Sequence, residues 1–332
     1  MRCNYAFTIL LGVLILSCVL NVGFAQEKVK VGFVDQVGMK AFEDGKKGFM
    51  EGLKEKGFES KIEVVYHNLN NNMDLVKDTI DKLKKENVKV IVTQGTKVTL
   101  EFLKVVKDIP IVYTSVTYPQ QIDEIGKNLK FGDNYSGATI YTPQLPLIKL
   151  ALKIKPDIKT IGIVVNSDEV NSKRDAGDLE KAAKELKLKS IISEYPGNNK
   201  DNNLLQKSVV AAFNKLIDSK VDAIMFPKDT LQVKFSNEIK SVVIPKKILT
   251  LATDASFAEK GVAVMAFTAT CQKAGQNAGV IVTEILSGKK PKDIPPMYLD
   301  SFDIYLNTKT AKEMNISLPV DMIRMASTII KE

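Results

Sequence analysis

The chain is poor in the side chains and motifs on which most catalytic sites depend. Its 332 residues include one histidine. His67 lies at the end of a β-branched run, so a multi-histidine metal site has no ligands and a histidine-assisted triad would rest on that residue alone. It reads as a surface or strand-end residue. There is no G-x-x-x-x-G-K-[ST] phosphate loop and no G-x-G-x-x-G after a strand; Gly288-Lys289-Lys290 closes a helix where a phosphate loop would open one. A G-x-S-x-G elbow is absent as well. No cofactor and no metal are expected, and a hydrolase or other enzyme stands as a distant alternative.

Cysteine is scarce too. Two of the three, Cys3 and Cys18, fall in the first 25 residues, which leaves Cys271. One thiol cannot form an internal disulfide, so the fold beyond that segment must rest on burial. Cys271 opens an apolar helix and reads as a small buried hydrophobe. The one long apolar run, Ala6 to Leu20, is too short and too early for an ordinary span and reads as a secretory signal. Gly23-Phe24-Ala25 supplies small residues at the −3 and −1 positions, which predicts a signal peptide over 1–25 and a mature start near Gln26. A rival reading takes Leu16-Ser17-Cys18 as a lipoprotein box with Cys18 acylated and the protein anchored to a membrane. Against it, Leu16 is bulky where a small residue is usual, and the apolar run continues past Cys18. No later stretch approaches the ~20 apolar residues of a spanning helix.

Basic residues outnumber acidic ones, 47 to 39, for a net charge of +8. The lysines are spread along helix-like segments, which describes a solvated surface better than a nucleic-acid patch. No zinc-finger spacing, RNA-binding aromatic signature or basic arm opposes that reading, and no nucleic-acid partner is expected.

What the chain has is an ordinary globular composition, 45% hydrophobic and 26% charged, over a length that suits two domains. From Lys28 onward, short β-branched runs alternate with amphipathic stretches, the pattern of βα units feeding parallel sheets. Strands are expected at 29–34, 62–66, 88–92 and 109–113, with helices over roughly 39–56, 73–86 and 98–106. The pattern restarts with strands at 161–165, 190–195, 221–226 and 248–251 and helices near 174–186, 202–217 and 231–242. A strand at 262–266, a helix at 270–286 and an extended segment at 298–306 follow. The predicted fold class is α/β, with two doubly wound parallel-sheet lobes joined by a multi-crossing hinge. The first lobe is placed at 28–142 plus about 268–300 and the second at 143–267 plus about 301–332. Such a hinge permits closure by bending.

Small polar residues cluster just after the predicted strands, the edge at which open α/β sheets bind ligands. In the first lobe these are Asp35-Gln36, Thr93-Gln94-Gly95-Thr96 and Ser115-Val116-Thr117. In the second they are Asn166-Ser167 with Asn171-Ser172, Lys228-Asp229-Thr230, and Thr253-Asp254. Hydroxyls, amides and helix N-terminal N–H groups suit a carboxylate, and an aspartate suits an ammonium, so the set fits a polar or zwitterionic small molecule. Helix capping alone would account for any one of these loops. The joint pattern across both lobes favours a cleft, with Asp229 as the charged anchor because Thr230 could cap the helix without it. Tyr113, Tyr118 and Tyr141 could stack on a ligand ring or pack in the core and hinge.

The whole chain from 28 to 326 resembles the family of ABC transporter substrate-binding proteins that includes tryptophan- and tyrosine-associated binding proteins, built on the type I periplasmic-binding fold. The resemblance is carried by the segments 109–119, Tyr135-Ser136-Gly137-Ala138, Leu147 to Pro156, Ile163 to Asn166 with Glu169 to Ser172, Val221 to Asp229, and Gly275 to Gly288 followed by Pro291 and Ile294-Pro295. It implies a non-enzymatic, extracytoplasmic protein that hands an amino acid, aromatic ones among them, to a membrane permease and its ATPase. A monomer is the expectation for this architecture. Carried to matching positions, Ser115, Thr117, Asn171, Ser172 and Asp229 become ligand contacts, with Gln94, Thr96 and Asp254 beside them. Two departures bear on the ligand: Tyr118-Pro119 stands where the family commonly has Asp-Pro, and Phe131 to Gly137 replaces the usual Pro-Gly-Gly-Asn ahead of Thr-Gly. An extracytoplasmic sensor for a signalling system is the alternative role on the same fold.

Overall fold

A computed structural model describes residues 27–120, 122 and 133–331. The expected signal peptide, the acylation alternative at Cys18 and the pair Phe131-Gly132 lie outside the described residues. No helix among them is long and apolar enough to cross a membrane.

The first lobe is built on five parallel strands, β1 (Val29–Asp35), β2 (Ile62–Asn68), β3 (Val90–Gln94), β4 (Ile111–Val116) and β5 (Tyr135–Thr139), in the order β2-β1-β3-β4-β5. Helices α1 (Lys40–Glu55), α2 (Val76–Lys85) and α3 (Thr96–Val105) connect them. β3 and β4 are buried along their whole length. Covered on both faces, they carry the nearly continuous apolar runs visible in the sequence. β5 departs from the sequence reading, which placed no strand there. Its Gly137 lies so close to Tyr113 that a Cβ would sit 2.3 Å from that residue's carbonyl oxygen, and a short, Gly- and Ser-containing strand has little apolar signal.

The second lobe contains α4 (Gln144–Ile154), β6 (Thr160–Asn166), α5 (Val170–Glu185), β7 (Lys189–Tyr195), α6 (Asn202–Asp218), β8 (Ala223–Phe226), α7 (Thr230–Lys234), α8 (Ser236–Val243), β9 (Leu249–Ala252), α9 (Ala255–Glu259) and β10 (Met265–Thr268). After α10 (Cys271–Leu286), which packs on the first lobe, the chain returns for β11 (Asp303–Asn307), α11 (Thr308–Glu313), α12 (Val320–Met325) and β12 (Thr328–Ile330). The sheet order is β12-β11-β10-β9-β8-β6-β7, parallel except at the β10–β11 pair. Several boundaries differ from expectation, among them the strand in the segment expected at 298–306, which begins only at Asp303. α5 begins at Val170, four residues before the predicted start, and takes Asn171 and Ser172 into its first turn. The predicted helix at 231–242 is two, broken at Phe235. The strand predicted at 262–266 is shifted to Met265–Thr268.

The chain passes between the lobes three times, at residues 140–143, 269–270 and 298–302. α10 seats its start at the seam through an unusually close contact with α1. A Cβ on Gly48 would lie 1.9 Å from the Gln272 carbonyl oxygen, one on Gly52 2.2 Å from that of Gln276, and one on Gly275 1.9 Å from that of Gly45. The backbones touch because Gly45, Gly48, Gly52 and Gly275 have no side chain. Glu51 and Glu55 reach across to accept from Gln272 and Gln276.

Candidate ligand-binding cleft

Both sheets point their C-terminal strand ends at the seam. In the first lobe the strand order reverses between β1 and β3, whose ends pair Asp35 with Gln94. Asp35 is fully buried. Tyr66 on β2 donates to its Oδ2 at 2.5 Å, and Oδ1 has no partner among the described residues. Burial is the main cause that pushes this carboxyl up to about 6, against the opposing pull of the Tyr66 hydroxyl and the Lys46 charge. Gln94 donates from Nε2 to Ser115 Oγ at 3.3 Å and leaves its own Oε1 buried without a partner among the described residues.

Gln36 serves α3. That helix is preceded by the N-cap residue Gly95, whose φ of +111° favours glycine and which has no side chain to cap the helix. The Gln36 Oε1 accepts from the Lys97 backbone N–H at 3.2 Å in its place. Thr96 is half-buried in the first turn. Ser115 lies within β4, one residue earlier than a post-strand loop, and holds a φ of 56° where the β4–β5 register slips. A left-handed serine in a strand costs on the order of 1–3 kcal/mol, a strain that concentrates at functional sites. Thr117 is buried, and its carbonyl accepts from Thr139 Oγ1 at 3.0 Å.

In the second lobe, Ser172 is buried and its Oγ accepts from the Asn166 backbone at 3.0 Å, tying α5 to the end of β6. Asn171, one residue earlier, keeps its Oδ1 buried without a partner among the described residues. Asp254 caps α9, accepting from Ser256 N–H at 2.9 Å, and remains half-buried.

Asp229 differs from the sequence reading in one respect: it, and not Thr230, caps α7. Oδ1 accepts from Leu231 and Gln232 N–H at 2.9 and 3.3 Å, while Oδ2 accepts from the Tyr195 hydroxyl at 2.7 Å and Gln232 Nε2 at 3.2 Å. Both oxygens are engaged and the residue is buried. Burial raises its carboxyl, and those same hydrogen bonds hold it back.

The ten residues drawn from the sequence therefore sort into two groups. Asp35, Gln94, Ser115, Thr117, Ser172 and Asp229 are buried behind the strand ends; Gln36, Thr96, Asn171 and Asp254 are half-buried at the surface of the seam. The three tyrosines separate as well. Tyr113 is in the core, whereas Tyr118 and Tyr141 meet edge to face at the hinge, ring centroids 5.5 Å apart.

Two charged residues here, Lys228 in the loop after β8 and Glu169 before α5, were named in the sequence reading without a role of their own. Glu169 is the half-buried N-cap residue of α5; burial and the nearby Asp229 charge push its carboxyl up, and the charge of Lys97 on the opposite lobe pulls it down. Lys228, half-buried after β8, donates from Nζ to Thr142 Oγ1 at 3.1 Å and to the Thr253 carbonyl at 2.9 Å. Burial pushes its ammonium down. Charged residues in loops default to solvent, so neither stands out in a sequence. Cys271, from the first lobe, meets Ser115 at the same seam, and burial pushes its thiol up to about 11. No cluster of three or more potential metal ligands occurs among the described residues.

Residues 30–330 match the family described as ABC transporter substrate binding protein. The chain belongs to that family. It is 26% identical over 303 residues to a tyrosine-binding protein of Clostridioides difficile (strain R20291), covering 90% of this chain and 85% of the relative. Among solved structures it superposes on an ABC domain in complex with L-Trp from Streptococcus pneumonia, with a TM-score of 0.76, 23% identity, and 92% and 100% of the two chains covered. A ligand-free, open substrate binding protein with adhesive properties from Clostridium difficile gives a TM-score of 0.72 at 22% identity, covering 92% and 100%. As a member of this substrate-binding family, the chain has the two-lobed type I periplasmic-binding fold.

Proposed function

We propose that the protein is the extracytoplasmic solute-binding component of an ABC uptake transporter, delivering a small zwitterion of the amino-acid class to a permease and its ATPase. Gln36, Thr96, Asn171 and Asp254 line the cleft on this reading, and the buried group behind them holds their backbones in place. The observation that carries it is the composition of the seam. Lys228, Glu169 and Asp254 are half-buried at helix starts of the second lobe, and none of the three makes a salt bridge among the described residues; Lys228 feels the Asp254 and Asp175 charges, and Glu169 that of Lys97, without direct contact. Half-buried charges of both signs are costly to leave unneutralised, and a zwitterion supplies both counter-charges. The family membership and the tyrosine-binding relative support an amino acid, aromatic ones included.

Thermal unfolding of refolded, ligand-stripped protein against the twenty amino acids tests it. A binder at 100 times its dissociation constant stabilises the native state by about 2.7 kcal/mol, which raises the melting temperature by several degrees. No shift with any amino acid removes the amino-acid reading. A shift with no uptake by cells carrying the cognate permease would favour a sensor.

A further inference from the structure

Lys228 stands where the hinge meets the second lobe. Thr142 Oγ1, which accepts from its Nζ, also accepts from the Ala269 backbone at 3.1 Å, so two of the three interlobe crossings converge on it. The two acceptors of the ammonium, a hydroxyl and a carbonyl, are both neutral, and its third N–H has no partner among the described residues. The Asp254 and Asp175 carboxylates act on the ammonium through their charge without hydrogen-bonding it. Asp175 accepts from the Lys228 backbone at 2.9 Å, from the Tyr118 hydroxyl at 2.6 Å and from Gln144 at 3.4 Å. Asp254 caps α9. Its two acceptors lie on a hinge crossing (Thr142) and just after β9 (Thr253), at the strand-end side of the second lobe, and the Cys271 thiol of the opposite lobe feels its charge. A half-buried cation whose hydrogen bonds go to neutral acceptors, with one donor unused where the second lobe's strand ends meet the hinge, is an incomplete anion site.

We propose that Lys228 is the anion-binding residue of the cleft: a carboxylate on the ligand takes its third donor, and this contact selects carboxylate-bearing solutes over the matching amines. The inference rests on the cleft reading above and adds the group by which the ligand is chosen.

Calorimetry on the full mature chain tests it, with L-tyrosine, L-tryptophan and L-phenylalanine set against tyramine, tryptamine and phenethylamine. Succinate, 3-phenylpropionate and inorganic phosphate serve as anions without an ammonium. Wild type is expected to bind an amino acid at least ~10-fold more tightly than its amine, the scale of one charge-assisted hydrogen bond. Lys228→Met is expected to remove that preference while changing amine affinity less than about threefold, and Lys228→Arg to retain most of it. A purely structural lysine would weaken both classes together, which overturns the proposal. So does a wild type that binds amine and amino acid equally, a result that needs no folded variant. Amino-acid binding that survives Lys228→Met sinks Lys228 and leaves the transport reading standing. If only succinate, phenylpropionate or phosphate binds and Lys228→Met abolishes it, Lys228 stands and the amino-acid reading falls. Failure of every anionic probe removes both.

Discussion

Tyr118 of the first lobe donates its phenol hydroxyl to Asp175 Oδ1 of the second at 2.6 Å, and the ring of Tyr118 lies 5.9 Å from the Arg174 guanidinium. The bond joins the end of β4 to the second turn of α5. Desolvation, with the neighbouring carboxylate, pushes this phenol far up, so it stays a donor at every working pH.

Tyr118→Phe keeps the ring and removes the donor. Asp175, buried and deprived of one hydrogen bond, is expected to cost about 1–3 kcal/mol of stability, read as a fall of a few degrees in ligand-free thermal unfolding. An unchanged melting temperature would show that the contact does not form in solution.

Asp229→Ala is expected to destabilise the ligand-free protein by about 2 kcal/mol or more, because it removes the cap of α7 and strands the Tyr195 hydroxyl. Urea unfolding without ligand measures this. Loss of ligand affinity with unchanged stability would instead mark Asp229 as a direct contact.

Asp35 makes stability fall with rising pH. Its carboxyl is at about 6 when folded against 3.8 for the free side chain, so the folded state binds the extra proton. The contribution is fully present below 3.8 and is lost as pH rises through about 6, an effect on the order of 3 kcal/mol. Asp35→Asn, which cannot titrate, is expected to gain on wild type by that order between pH 4 and pH 7 in parallel urea titrations. Parallel curves would refute the assignment.

Two glycine substitutions should act in opposite directions. Gly48→Ala drives a methyl to 1.9 Å from the Gln272 carbonyl oxygen and must separate α1 from α10. Overpacking of this kind costs about 1–3 kcal/mol or more. Gly177→Ala, inside α5 with nothing within 4 Å of the new Cβ, is expected to gain about 0.5–1 kcal/mol. Chemical denaturation of the two variants side by side checks both.

The lobes were legible because buried parallel strands such as Val90–Gln94 and Thr160–Asn166 write their burial directly into apolar runs. β5 was not, since Gly137 makes room for Tyr113 at the expense of apolar character. The start of α5 was hidden because Asn171, Ser172 and Lys173 are as suited to a loop as to a first turn. At the cleft, the sequence located the loops but could not divide cap from ligand contact. Asp229 and Asp254 have the residue type of both roles, and only the occupancy of their oxygens separates them. Lys228 and Glu169 were named without a role because what marks them is half-burial without a direct ion pair, a property of three-dimensional neighbours.

The glycine-notched pairing of α1 with α10 also sets a timetable. Its two halves are separated by more than 200 positions in the chain, and α10 contributes Ala274, Ala278, Ile281 and Val282 to the same core as Val31 and Phe33. Closing so long a loop is slow, and its entropy must be met before the contacts form. The first lobe to be synthesised is thus unable to finish its interior until residue 286 has emerged, after most of the second lobe's strands. The domain made first is therefore the one whose core depends on a helix made late.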